Sequence, residues 1–164
     1  MSEVLKIGTG LELKKLELNE FGDYISVATG KANQQMFDDF VALCKVVTKK
    51  SEEYNEKCKE LSEKYKTDDG LDNVLEKVTA FSCLEREFAK EVTVLIDGVF
   101  GEDTVRKYLR KFYDSIPNFV PGVSCFIDFI EQITPVMEQL FDQKALFDKS
   151  KMRKYQPQDH KRKS

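Results

Sequence analysis

The sequence predicts a mainly α-helical fold: an N-terminal β-hairpin, then a four- to five-helix bundle whose long first helical hairpin partly protrudes. Two observations carry this. Apolar residues alternate with charged ones in the first thirty residues, the period of a strand. From about residue 33 onward they recur at spacings of three and four, the period of a helix with one buried face. Composition supports a folded chain: 41% hydrophobic and 34% charged residues over 164, enough apolar material for one core under a heavily charged surface. A single domain over 1–148 is expected, made of a hairpin (1–30) and a helical part (33–148), followed by a disordered basic tail over 149–164.

Leu11, Leu13, Leu16 and Leu18 alternate with charged residues, with one slip at Lys14-Lys15 that a β-bulge would produce. Asn19-Glu20-Phe21-Gly22-Asp23 is turn material, and Tyr24 to Ala28 is rich in strand formers, closed by Thr29-Gly30. Two strands alone are marginal in water, so the hairpin must lean on a helix or another chain. A long helix over about 33–66 follows, with a stripe of Phe37, Phe40, Val41, Cys44, Val47, Tyr54, Cys58, Leu61 and Tyr65. The stripe is thin in its second half, as in a short antiparallel coiled coil or a protruding helix. Thr67-Asp68-Asp69-Gly70 reads as a helix–helix turn, since it lacks the alternating oxygen ligands of a calcium loop.

The second helix, about 72–100, carries Val74, Leu75, Val78, Phe81, Leu84, Phe88, Val92, Leu95, Ile96, Val99 and Phe100. Its stripe thickens toward the C-terminal end, which should be the centre of the core. Gly101 is placed to end the helix in the left-handed conformation, and Asp103 or Thr104 to cap a third helix from Val105 to about Tyr113. A loop with Pro117 and Pro121 leads to a last helix bearing Phe126, Ile127, Phe129, Ile130, Ile133, Val136, Met137, Leu140 and Phe141. Pro135 should kink that helix, or stop it and restart it with Thr134 as the cap.

Charge is uneven. The segment 149–164 carries seven basic residues and one Asp, a net of +6, and the rest carries 19 basic and 28 acidic residues, a net of −9. The tail reads as a solubilising segment or a contact for an acidic protein; without interleaved aromatics or a folded reader, its signal for nucleic acid is weak. No apolar run reaches the roughly 20 residues of a membrane span, and none resembles a signal peptide, so a cytoplasmic protein is expected. Cys44, Cys58, Cys83 and Cys125 are widely spaced, and the first three sit at apolar helical positions. Buried thiols are the first reading, with two disulfides or a metal site as the alternatives.

The inventory for chemistry is short. His160, the single histidine, lies in the tail segment, so no positioned base for a nucleophile is in view. Cys and His do not cluster at zinc spacings, and neither phosphate-cradling glycine motif is present. Asp38-Asp39, Glu52-Glu53 and Glu85/Glu87 read as charged helix faces. Asp97 stands out among Leu95, Ile96, Val99 and Phe100, as a solvent-facing or partner-facing residue within reach of Arg106 or Lys107. The expectation is no enzyme and no cofactor, but a protein that holds other proteins. Phe126, Phe129, Ile130, Ile133 and Met137 on the last helix are the candidate partner surface, with plain core as the alternative for all five.

A resemblance sharpens this. The hairpin with Glu20-Phe21-Gly22-Asp23-Tyr24-Ile25 leads into a helix opened by Phe37 and Phe40. Ile96-Asp97-Gly98-Val99-Phe100-Gly101-Glu102-Asp103-Thr104 with Lys107 follows, then Phe126-Ile127-Asp128-Phe129-Ile130-Glu131-Gln132-Ile133-Thr134-Pro135. From about Leu5 to Tyr155 this succession resembles the small tail assembly chaperone-like proteins of siphophages and prophages of Gram-positive bacteria. The resemblance implies a protein that coats the long helical tape measure protein and brings tail tube subunits to it. It implies synthesis in the host bacterial cytoplasm and absence from the mature virion. A structural tail or ring component acting through self-association is the alternative.

Overall fold

A computed structural model describes residues 8–66, 70–145 and 152. The chain forms β1 (Glu12–Glu17), β2 (Tyr24–Thr29), a 3-10 turn (Lys31–Asn33), α1 (Gln34–Lys64), α2 (Leu71–Phe100), α3 (Thr104–Tyr108), α4 (Arg110–Ser115) and α5 (Val123–Phe141). The predicted class holds: a mainly helical protein led by an antiparallel hairpin. Of the predicted turn at Thr67-Asp68-Asp69-Gly70, only Gly70 lies within the described residues, at the start of α2. The predicted tail also lies outside them, except Met152, which is buried at 1% exposure.

The hairpin ladder is regular. Glu12 faces Thr29, Leu16 faces Ile25 and Glu17 faces Tyr24 in unbroken register, so the expected bulge at Lys14-Lys15 is absent. Without it, Leu13 and Leu16 point to opposite faces, because side chains alternate strictly along a strand. Leu16 packs on the core while Leu13 is 73% exposed. The inner face of β2, Ile25 and Val27, supplies the main anchor on the helices.

The hairpin turn is held by Asn19. Its Oδ1 accepts the backbone N–H groups of Phe21 (2.8 Å) and Asp23 (3.2 Å). Its Nδ2 donates to Asp23 Oδ2 and to the Lys107 carbonyl, both at 2.7 Å. Arg110 donates to Asp23 Oδ2 at 3.0 Å and lies over the Phe21 ring. The hydrogen bonds from Asn19 and Arg110 hold the Asp23 carboxyl below its usual range. One turn thereby ties the hairpin to α3 and α4.

Gly30 closes the hairpin at φ 129°, and a Cβ there would sit 2.3 Å from the Gly10 carbonyl oxygen. Gly101, at φ 114° and ψ 159°, also has positive φ, but in an extended rather than a left-handed helical conformation, and its missing Cβ would meet nothing. Both conformations are costly for any other residue, by about 1–3 kcal/mol. Gly30→Ala adds a backbone clash and is expected to cost more than Gly101→Ala, read as the difference between their urea midpoints.

The core is a chain of rings linking α1, α2, α3 and α5. Phe37 meets Phe141 at 5.6 Å, Phe40 meets Phe100 at 6.1 Å, and Phe100 meets Phe129 at 5.9 Å. Phe129 meets Tyr108 at 5.1 Å, and Phe88 bridges Tyr54 and Phe126. As the sequence indicates, the C-terminal half of α2 lies at the centre: Phe88, Ala89, Val92, Ile96 and Phe100 are all buried. Leu43, outside the predicted stripe of α1, is buried as well.

The expected third helix is two. Leu109, at φ −107° and ψ 23°, breaks the helical path between α3 and α4 and is itself buried. The last helix, by contrast, neither stops nor restarts at Pro135. Pro135 lies on its exposed side, where a missing N–H costs little burial. Thr134 is not a cap; its hydroxyl donates to the Ile130 carbonyl at 2.6 Å. None of the four cysteines is in a disulfide; Cys44 and Cys58 are buried, Cys125 half-buried, and Cys83, expected inside, is exposed.

Candidate functional site: an apolar arm and a cleft beside the hairpin

The predicted partner surface on α5 is not a surface. Phe126, Phe129, Ile130, Ile133 and Met137 are all buried, at 6% exposure or less. The reason is geometric. α5 packs against both α1 and α2, while Tyr108 of α3 meets the Phe129 ring edge-on. Its wide apolar row is therefore covered from several sides. Only the edge of that row reaches the outside. A cleft of about 340 Å³ runs between β1 and α5, lined by Leu16, Leu18, Phe129, Ile133 and Val136, with Lys15, Glu17 and Gln132 alongside. Gln132 Nε2 donates to the Tyr108 hydroxyl at 2.8 Å, and burial pushes that phenol up from its ordinary value.

Exposed apolar surface lies elsewhere. Along α1 no residue beyond Cys58 is buried, and along α2 none before Phe88. The two helices thus continue past the core as a two-helix arm, the protrusion read from the thin stripe of α1. On α2 the arm carries Leu71, Val74, Leu75 and Val78, exposed at 73%, 44%, 57% and 58%. Their spacing of three, one and three places them on one helix face. The sequence pattern assigns Val74, Leu75 and Val78 to the core; the structure leaves them uncovered, because α5 starts beside Phe88 and does not extend along the arm. A continuous apolar row of this kind marks an interaction surface far better than scattered exposed residues do.

The acidic candidates resolve as fold elements or surface. Asp38 and Asp39 accept hydrogen bonds from Gln34 and Gln35 one turn earlier. Glu91, not one of the paired carboxylates, bridges to Lys50 across the arm's root. Asp97 turns to the next helix rather than to solvent: its Oδ1 accepts the Val105 N–H at 3.1 Å. It caps α3 from outside, while Asp103, at φ 63°, makes no side-chain cap bond. Arg106, an expected partner, stacks over Tyr113 instead.

Burial pushes the Asp97 carboxyl up, and the backbone N–H groups at the start of α3 offset this only in part. A raised folded value means that the proton binds more tightly in the folded state. The associated stability is present below the ordinary value of 3.8 and is lost as pH rises through the raised one. Asp97→Asn keeps an acceptor and removes the charge, so its melting temperature gains on the parent between pH 3.5 and pH 7. Asp97→Ala loses the cap and is expected to cost about 1 kcal/mol at pH 7.

Among the described residues no three His, Cys, Asp or Glu side chains gather as metal ligands, and no helix is long and apolar enough to cross a membrane. Comparison with family models, with curated proteins and with solved structures finds no match to this chain.

Proposed function

We propose that the protein is a tail assembly chaperone of a siphophage or prophage: it binds the tape measure protein and recruits tail tube subunits during tail morphogenesis. In this role it acts in the host cytoplasm and is left out of the finished particle. The observation that carries the reading is the uncovered apolar row Leu71, Val74, Leu75 and Val78 on one face of an arm that projects past the core. A tape measure protein is long and amphipathic and aggregates unless its apolar stripe is covered. A projecting helix pair with its own uncovered stripe offers such cover by helix-on-helix packing. The sequence resemblance supplies the identity of the client, and the arm supplies a surface for it.

Co-expression with the tape measure protein of the same genome tests this. The client is expected in the soluble fraction with this chain and in the pellet without it; an equal pellet in both cases refutes the reading. Mass spectrometry of purified particles separates a chaperone, absent from them, from a ring or tube component, which would be present.

A further inference from the structure

The outer edge of the hairpin borders the cleft beside α5. Leu18 N–H donates to the Asp23 carbonyl at 2.8 Å, and the register pairs Leu16 with Ile25 and Lys14 with Val27. Backbone groups alternate in direction along an antiparallel pair, so those of Lys14, Leu16 and Leu18 turn toward β2 and those of Lys15 and Glu17 turn away. Among the described residues nothing is bonded to the backbone of Lys15 or Glu17. On the opposite edge, by contrast, the outward carbonyl of Ala28 accepts from Asn33 Nδ2 at 2.6 Å. Edge strands are ordinarily blunted by a bulge, a proline, a charge or a covering helix. β1 is regular and holds no proline, and α5 stands across the cleft rather than on the edge. Only charge is left, and its pattern is Lys15-Leu16-Glu17.

We propose that this edge pairs with the same edge of a second copy, antiparallel across a two-fold axis at Leu16, so that two two-stranded sheets join into one. The free backbone groups sit on odd-numbered residues, so hydrogen-bonded pairs join odd to odd and the axis falls on a residue. With the axis at Leu16, Lys15 faces Glu17 of the second copy and Glu17 faces its Lys15, one hydrogen-bonded pair on either side. The two Leu16 side chains meet on the inner face, in the position where opposed side chains come closest, beside Phe129, Ile133 and Val136 of the cleft. Other positions of the axis are worse. At Glu12, Lys14, Lys15 or Glu17 a charge faces its own copy, and like charges directly opposite are destabilising. At Leu13 the charges match, but Leu16 and Leu18 then lie beyond the paired strands and the cleft stays open. An edge lysine normally repels an incoming strand; in the Leu16 register each one meets a carboxylate. A two-fold contact closes on itself, so association stops at a dimer and does not grow into a ring. The inference is independent of which client the arm holds.

Sedimentation velocity of the full chain at rising concentration, up to about 1 mM, is expected to show a monomer passing into a dimer and nothing larger. Lys15→Glu alone and Glu17→Lys alone each set like charges against one another on both sides of the axis. Each is expected to weaken the dimer at least about tenfold. Both side chains are exposed, so melting stays close to the parent's. Mixed in equal amounts, the two variants are expected to pair with one another, because one edge then carries two carboxylates and the other two ammonium groups. The chain with both substitutions is expected to pair with itself again. A hairpin that was merely damaged would be rescued by neither. A monomer at every concentration overturns the proposal, whether residues 1–7 or a foreign strand then holds the edge. A dimer that ignores the single substitutions overturns it too, as do single variants that fail to pair on mixing. So does a dimer that Leu75→Asp/Val78→Asp dissociates while Lys15→Glu does not, since the copies then meet through the arm.

Discussion

Phe126→Ala is expected to destabilise the protein by about 3–5 kcal/mol, by lost apolar transfer and the cavity left behind. Phe126 is 1% exposed and touches Phe88 at the point where α5 meets α2 and the arm begins. Its ring lies edge-on to that of Phe88, an arrangement that adds about 0.5–1.5 kcal/mol to simple burial. Domains of this size are stable by roughly 5–15 kcal/mol, so the loss is a large share of the total. Urea unfolding followed by circular dichroism measures it. The result separates two roles for α5. A core helix loses stability with every such truncation; a binding surface loses affinity at constant stability.

Leu75→Asp with Val78→Asp is expected to do the reverse. Both positions are more than half exposed, so stability changes by no more than about 0.5 kcal/mol per site. Placing two carboxylates in the middle of an apolar contact is expected to cost 2 kcal/mol or more of client binding, the scale of a central interface residue. Near-native melting with the client returned to the pellet is the expected pair of results. Loss of stability instead would mean that the arm row packs on something within the protein's own fold.

The opposite behaviour of these substitutions follows from a distinction that periodicity does not carry. Helical spacing reveals which residues of α2 share a face, and it places Val74, Leu75, Val78, Phe88 and Val92 on one stripe correctly. It does not reveal how far the covering helix extends. α5 spans nineteen residues and α2 thirty, so part of the α2 stripe must run past it. The excess appears at the outer end because α5 starts beside Phe88. That position is fixed by the loop after α4 and by the Phe88–Phe126 contact, a tertiary fact with no local signal. The same limit explains α5 itself. Its row is the most apolar of the chain, and high apolarity points to burial before it points to a partner.

Other features were legible for local reasons. The hairpin, the end of α2 at Gly101 and the thinning of α1 each follow from residues close in sequence. The regular ladder of β1 was not: a slip in alternation reads as a bulge only if both leucine pairs need the same face, and here Leu11 and Leu13 lie on the surface. Asp97 stands out in the sequence, but its target, the first turn of α3, depends on the tight reversal through Gly101 and Asp103. The split at Leu109 depends on that residue turning into the core.

Hydrogen–deuterium exchange of the protein with and without the tape measure protein of the same genome separates the arm from the last helix as the binding surface. New protection is expected along the arm, over 71–85 and the facing end of α1, with the amides of α5 already slow to exchange in the free protein and unchanged on binding. Protection that appears over 126–137 while the arm stays as it was would contradict it, and would return the binding surface to the last helix.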